Sequence, residues 1–270
     1  MICFPGVKIN IGLSVLNKRC DGYHNIQSIF YPVSNYNDCI EITESKRFEF
    51  HNLGITVPGH YRDNLCYKAY MELKADFNIP NVSIKLLKRI PGGSGLGGGS
   101  SDGSATLMLL NDMFHLKLDT KSLTEYAARL GSDCPFFIHN KPSYVSGRGN
   151  VIEPIDLSLK GYHITIINPG YHISTKEAYE NLKITHKRVD FKSAVQQPIS
   201  TWKELIWNDF EAYAFSKHPE LAGIKASLYK AGAIFASMTG SGSSVYAISD
   251  VKLNISDTLL KSSFWQGKLN

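Results

Sequence analysis

Pro91-Gly92-Gly93-Ser94-Gly95-Leu96-Gly97-Gly98-Gly99-Ser100-Ser101 is the stretch on which the reading of this chain turns. Six of its eleven residues are glycines, which lack a Cβ, reach φ > 0 and let a ligand come against the backbone. An ordinary turn needs only one or two glycines at defined positions. Upstream, Val82, Ile84 and Leu86 alternate with Ser83 and Lys85 as in a half-buried strand, and Ile90 carries the apolar character to Pro91. Downstream, the run from Ala105 to Leu110 predicts a largely buried helix, with Ser100 or Ser101 placed to cap it. Strand, glycine loop and helix in that order bring free N–H groups and the positive end of a helix dipole to one place, a cradle for phosphate. A Walker P-loop is excluded, because no lysine lies between Pro91 and Ser101. A dinucleotide fingerprint fits Gly93 to Gly98 only loosely, with Asp119 forced into the acidic role, and the strands upstream come in runs and hairpins instead of alternating with helices.

The chain has 270 residues, 43% of them hydrophobic, enough for a real core and one large domain or two small ones; two lobes are expected. A net charge of +5, spread along the chain, favours anionic small molecules, and no basic run suggests a nucleic-acid groove. Cysteines at 3, 20, 39, 66 and 134 form no C-x-x-C pair and are odd in number, which fits reduced thiols better than a disulfide framework. Lys8 and Asn10 interrupt any signal-like h-region, and no stretch of about 18 apolar residues exists, so a soluble cytoplasmic protein is expected.

From Val7 to Val15 the pattern alternates, with Val7, Ile9, Ile11, Leu13 and Val15 on one strand face and Lys8, Asn10, Gly12 and Ser14 on the other. Lys8 and Asn10, with Cα atoms about 6 to 7 Å apart, can reach one ligand. Asp21-Gly22 predicts a hairpin into a strand near Ile26 to Phe30. Further strands are expected at 39–43, 48–50, 162–167, 234–238 and 245–248. Helices are expected from Asp63 or Asn64 to Leu73, before Gly131, after Pro135, and at 175–182, 208–215 and 220–231. Strands then helices give an α+β protein, with residues 1–157 and 158–270 as its lobes and a cleft as the default ligand site.

A phosphate cradle calls for an acceptor hydroxyl, a group to remove or orient its proton, and positive charge near the transferred phosphoryl group. Lys8 and Asp133 are the candidates, although Lys8 taken alone reads rather as a surface strand lysine and Asp133 reads equally as the N-cap of the helix opened by Pro135, a role that can coexist with the chemical one. Tyr23 and His24, adjacent on the hairpin turn, suit a nucleobase, with Tyr179 as a possible second face; packed loop aromatics are the plainer alternative.

The loop resembles the Pro-x-x-x-Gly-Leu-Gly-Ser/Gly-x-Ser-Ser pattern of the GHMP kinase family. The resemblance extends to Pro5-Gly-Val-Lys-Ile-Asn-Ile11, Asp21-Gly-Tyr-His24, Gly131-Ser-Asp-Cys-Pro-Phe-Phe137 and Thr239-Gly-Ser-Gly-Ser-Ser244, nearly the whole chain. It implies the two-lobed GHMP kinase fold: an N-terminal lobe with a mixed or antiparallel sheet and helices, a C-terminal lobe with an antiparallel sheet and helices, and the active site in the cleft between them. Asp-Gly-Tyr-His after Lys-Ile-Asn is similar to the members that move the ATP γ-phosphoryl group to a tertiary hydroxyl of a cytidine diphosphate-linked methylerythritol, in non-mevalonate isoprenoid synthesis. By that resemblance Asp133 is the general base, Lys8 orients it and Asn10 fixes the substrate. Tyr23 and Tyr179 stack on cytosine, and His24 reads its edge. Pro91 to Ser101 holds the ATP phosphates, Asn64 and Lys88 lie near the adenine, and Gly240 and Gly242 line the cleft. Magnesium is expected with ATP, without an assigned ligand; the protein is expected as a monomer or homodimer.

Two positions depart from the family pattern. Gly103 stands where alanine is common, a change costing a helix about 1 kcal/mol, and Asn150 stands where an acidic residue is usual. Two alternatives stay open: another GHMP kinase acting on homoserine, mevalonate or a sugar, which needs no cytosine site, and a catalytically silent nucleotide-binding module, against which Lys8 and Asp133 count.

Overall fold

A computed structural model describes residues 1–182, 190–255 and 263–269. In chain order the first elements are β1 (Ile2–Cys3), β2 (Val7–Lys18), β3 (His24–Val33), β4 (Cys39–Glu44), β5 (Glu49–Gly54), α1 (Leu65–Asp76) and β6 (Val82–Lys88). Then come α2 (Gly98–Met113), α3 (Thr120–Leu130), α4 (Cys134–His139), β7 (Ser143–Ser146), β8 (Val151–Pro154) and β9 (His163–Asn168). The remainder comprises α5 (Thr175–Glu180), α6 (Phe191–Ala194), α7 (Trp202–Leu205), α8 (Glu211–Lys217), α9 (Pro219–Lys230), β10 (Phe235–Met238), β11 (Val245–Ser249) and β12 (Ser263–Lys268). No helix among the described residues is long and apolar enough to cross a membrane. Packing groups the chain into two units interleaved along the sequence: 1–7, 36–92 and 97–141 in the first, and 8–35, 93–96 and 142–270 in the second.

The first unit is built on a mixed sheet of order β1-β4-β6-β5, with β4 antiparallel to β1 and β6, and β5 parallel to β6. The period-2 pattern of β6 buries Val82, Ile84, Leu86 and Lys88 and leaves Lys85 and Leu87 exposed. Ile84 and Leu86 join Ile40 and Ile42 of β4 in one core with Ala69 and Leu73 of α1, Leu107 and Leu110 of α2 and Ala127 of α3. Asn64 caps α1, its Oδ1 accepting from Cys66 N at 2.9 Å. Gly103 has a packing reason that outweighs its helix cost, since a Cβ there would lie 2.8 Å from Leu65 Cβ.

The second unit carries two antiparallel sheets, β2-β3-β7-β8 and β10-β11-β9-β12. Its core joins Leu13, Ile167, Ala236, Met238 and Ala247 to Ala214 of α8 and Leu221, Ile224 and Leu228 of α9. β7, β8 and β12 were not expected; they are short and partly polar, so tertiary pairing and not local pattern makes them strands. The helix expected from Asn208 starts at Glu211, because Asn208 turns the chain instead: its Oδ1 accepts from Phe210 N at 3.0 Å, and its Nδ2 donates to Met238 O and Gly240 O, both at 2.8 Å.

Candidate active site

Gly93, Gly95 and Gly97 have φ of +64°, +78° and +72°, so every second residue of the glycine loop is left-handed, a conformation that costs L side chains about 1 to 2 kcal/mol each. Gly97 is the N-cap of α2, and no side chain caps that helix. The expectation of a Ser100 or Ser101 cap is therefore corrected: both serines lie inside α2, because the left-handed glycine starts the helix three residues earlier. The first-turn amides of a 16-residue helix are left to something other than a capping side chain, at the positive end of its dipole.

Asp133 stands at the start of α4, which packs against α2 within the same unit. Ser104 Oγ, on α2, lies 2.9 Å from Ser100 O and 2.8 Å from Cys134 O, the two carbonyls that share its proton, which links the start of α4 to α2. Asp133 is the N-cap residue of α4 by position, but its side chain makes no capping bond and its backbone is helical. Burial pushes the neighbouring Cys134 thiol up to about 11, so it stays neutral. Asn64 borders a cavity of about 220 Å³ lined also by Phe50, Val57, Pro58 and Tyr61. Lys88 is 4% exposed, and its ammonium binds the carboxylates of Asp38 and, at 2.7 Å, Asp102.

In the second unit, Lys8 and Asn10 are buried at 3% and 1% exposure, so Lys8 is no surface lysine. Lys8 Nζ donates to Asn10 Oδ1 (2.5 Å) and Gly95 O (3.0 Å), and sits 4.6 Å from the centre of the Phe30 ring. Asn10 Nδ2 donates to Ser28 Oγ (2.9 Å), its backbone N donates to Thr239 Oγ1 (3.1 Å), and its carbonyl accepts from Tyr246 Oη (2.9 Å). Thr239 Oγ1 lies 3.1 Å from both Asn10 Oδ1 and Gly95 O. The two glycine turns pack directly on each other. A Cβ on Gly95 would fall 2.0 Å from Thr239 O, and one on Gly240 would fall 3.1 Å from Gly95 Cα. Gly242, at φ +97°, packs against Met238 and Ile173.

The aromatic residues form a separate group in this unit. His24 stacks on Tyr179 with centroids 4.9 Å apart and planes 17° from parallel, and Phe210 meets Tyr179 edge-on. Burial and the Lys18 charge hold the His24 imidazole below its ordinary value, so it is neutral at pH 7. Tyr23 is 55% exposed, with the Arg148 guanidinium 5.3 Å from its ring centre. Asp21 accepts from Tyr23 N and from Arg19, pinning the turn. Asn150 Oδ1 accepts from Arg148 N at 3.2 Å, a turn-closing contact that either an amide or a carboxylate can make.

Comparison with known proteins bears on this arrangement. Residues 64–141 match the GHMP kinases N terminal domain, and residues 191–256 match the GHMP kinases C terminal domain. A Bacteroides thetaiotaomicron protein named 4-diphosphocytidyl-2-C-methyl-D-erythritol kinase is 47% identical over 96% of this chain and 95% of its own length. The chain belongs to the 4-diphosphocytidyl-2-C-methyl-D-erythritol kinase family of GHMP kinases. A crystal structure of 4-(cytidine 5'-diphospho)-2C-methyl-D-erythritol kinase aligns with a TM-score of 0.77 and 28% identity, covering 92% of this chain and 90% of that one. Homoserine kinase from Cytophaga hutchinsonii, with TM-score 0.68 and 17% identity over 98% of this chain and 95% of its own, shares the fold.

A GHMP kinase handles a polyphosphate, for which magnesium is the usual counter-ion. Among the described residues no group of three or more His, Cys, Asp or Glu could hold a metal, and Asp102, the carboxylate on the opening turns of α2, is buried against Lys88 and does not fit as a ligand. Magnesium held by the nucleotide and its own waters would need no carboxylate from these residues. Ser28, Asp38, Asp102 and Thr239 are not among the predicted site residues, yet each bonds one of them. Thr239 opens the glycine-serine turn already singled out, and Lys88 on the core-facing side of β6 signals that buried anions must be near.

Proposed function

We propose that this chain transfers the γ-phosphoryl group of ATP to the 2-hydroxyl of 4-diphosphocytidyl-2-C-methyl-D-erythritol, giving the 2-phosphate and ADP, in the non-mevalonate route to isopentenyl diphosphate. The observation that carries the proposal is the loop of alternate left-handed glycines running into a helix that no side chain caps. At Gly92 and Gly99 a Cβ would meet nothing within 4 Å, so internal packing does not explain these glycines, whereas a phosphate approaching the backbone does. The loop amides from Pro91 to Ser101 bind the phosphates, and the cavity beside Asn64 takes the adenine.

Asp133 accepts or orients the proton of the 2-hydroxyl, and Lys8 compensates the charge that develops near the acceptor oxygen. Phosphoryl transfer is loose, so most of the acceleration comes from holding the hydroxyl in line with the γ-phosphate. Asn10 holds the substrate, with Thr239, Gly240 and Gly242 shaping the wall on which it rests. Tyr23, His24 and Tyr179 take the cytosine; the base lies on the tyrosine rings, and His24 leaves its stack on Tyr179 to meet the base edge. We assign these roles to lobes 1–157 and 158–270 of a cytoplasmic monomer or homodimer that uses MgATP and needs neither nucleic acid nor a membrane.

The test is ADP release by the purified protein with MgATP and, in turn, the cytidyl-diphosphate sugar alcohol, phosphomevalonate and homoserine. The proposal expects turnover with the first alone. Preference for either of the others assigns the chain to a different acceptor, and no ADP with any of them makes it a binding module.

A further inference from the structure

Two carboxylates and one ammonium are buried together in the first unit, where the mechanism makes no direct use of them. Lys88 ends β6, just before the glycine loop, and Asp102 lies in α2, just after it. Lys88 Nζ donates to Asp102 Oδ2 at 2.7 Å and also to Asp38 Oδ2, so one ammonium bridges the strand end and the helix start across the intervening loop. Asp38 Oδ1 accepts from the backbone N of Arg89 (2.6 Å) and Ile90 (2.9 Å), the two residues that lead from β6 to Pro91. The far end of the loop is as close: a Cβ on Gly98 would sit 3.1 Å from Lys88 Nζ and 2.9 Å from Ile90 Cγ2. All three charged side chains are 4% exposed or less. Hydrophobic residues of similar volume would often serve stability as well as a buried ion cluster does, so a role in specifying geometry is the better explanation for this one.

We propose that Asp38, Lys88 and Asp102 form a clamp that fixes the two ends of the glycine loop relative to each other, and that these positioning residues set the spacing of the amides that bind the ATP phosphates. The clamp rests on the phosphate role assigned to the loop above. It does not touch the phosphates. Loosening it lets the loop ends drift, and a misplacement of about 1 Å among preorganised donors weakens binding strongly.

The experiment is calorimetric titration of wild type, Asp102→Asn and Asp38→Asn with a non-hydrolysable ATP analogue and, separately, with adenosine. At pH 8, where Asp102 is ionised, each amide keeps the side-chain shape while removing an anion from Lys88, and either variant stands in for the other. The expected result is at least a tenfold loss of affinity for the analogue with adenosine binding changed less than twofold. Equal losses for both ligands, as general destabilisation would give, or no loss for either, overturn the clamp. Failure of the wild type to bind the analogue at all overturns the phosphate role itself, a distinguishable outcome.

Discussion

Replacing Asp102 by asparagine should remove a pH dependence from the stability of the fold. The carboxyl is 2% exposed, its Oδ1 has no hydrogen-bond partner, and Oδ2 has the Lys88 ammonium. Burial pushes it from the ordinary 3.8 up to about 7; Lys88 pulls the other way, and the Asp38 charge adds to the rise. About three decades of proton affinity, at about 1.4 kcal/mol each, correspond to an upper value of about 4 kcal/mol. The folded state binds this proton more tightly than the unfolded chain does, so the stabilisation is fully present below pH 3.8 and is lost as pH rises through about 7. Asparagine has no such proton to lose. The other groups around Asp102 are Lys88 of β6, Asp38, Cys3 of β1 and Cys66 of α1. Burial works against the Lys88 charge, but Asp102 and Asp38 more than offset it and hold Lys88 above its ordinary value, while burial pushes Cys3 up to about 12 and Cys66 higher still. Neither thiol nor the ammonium changes charge between pH 4 and 8. Urea unfolding of both proteins at half-unit steps across that range should show the variant near wild type at pH 4 and gaining by up to about 4 kcal/mol at pH 8. Two curves that stay parallel would refute the reasoning.

Asp133→Asn should lower kcat by about 10² to 10⁴ while leaving KM for ATP within twofold; unchanged turnover in a coupled ADP assay removes Asp133 from the chemistry. Tyr179→Ala should raise KM for the cytidyl substrate by about 5- to 150-fold, since stacking a base on an aromatic ring contributes about 1 to 3 kcal/mol. Its KM for ATP should stay as it was, and parallel rises in both constants would place Tyr179 in general packing instead. Gly95→Ala puts a Cβ 2.0 Å from Thr239 O at a φ of +78°, so the two glycine turns must part. A thermal melt should show a Tm lower by several degrees, and ATP binding should be lost with it; a variant with wild-type melting and binding would show that the turns do not need their contact.

Where function was legible in the sequence, a local pattern carried it. Alternation around Lys8 and Asn10 placed both on one strand face, and the structure buries both and bonds Lys8 Nζ to Asn10 Oδ1. The order of strand, glycines and apolar helix around residues 82–110 also came through, because β6 alternates and α2 is the largely buried run that its apolar sequence indicates. The cap was misread because serine is the commoner N-cap, whereas a left-handed glycine needs no side chain to open a helix and leaves the amides free. Asp38 was invisible, since nothing in its neighbours indicates that it will meet Arg89 and Ile90 some fifty positions later. Thr239 was visible only as the edge of a turn, and its hydroxyl bridge to Asn10 spans 229 residues.

These misses share a physical origin, and it bears on how the loop works. Six glycines lower the local preference for any one conformation, so the sequence that permits the observed loop shape cannot by itself hold it. The shape has to come from elsewhere in the chain. Within the second unit Gly95 is held by Lys8 and Thr239, and within the first the residues flanking the loop are held by Asp38, Lys88 and Asp102. The glycine loop is therefore conspicuous in one short stretch of sequence, while the side chains that hold it and its flanks are scattered over residues 8 to 239 and become legible only once the chain is folded.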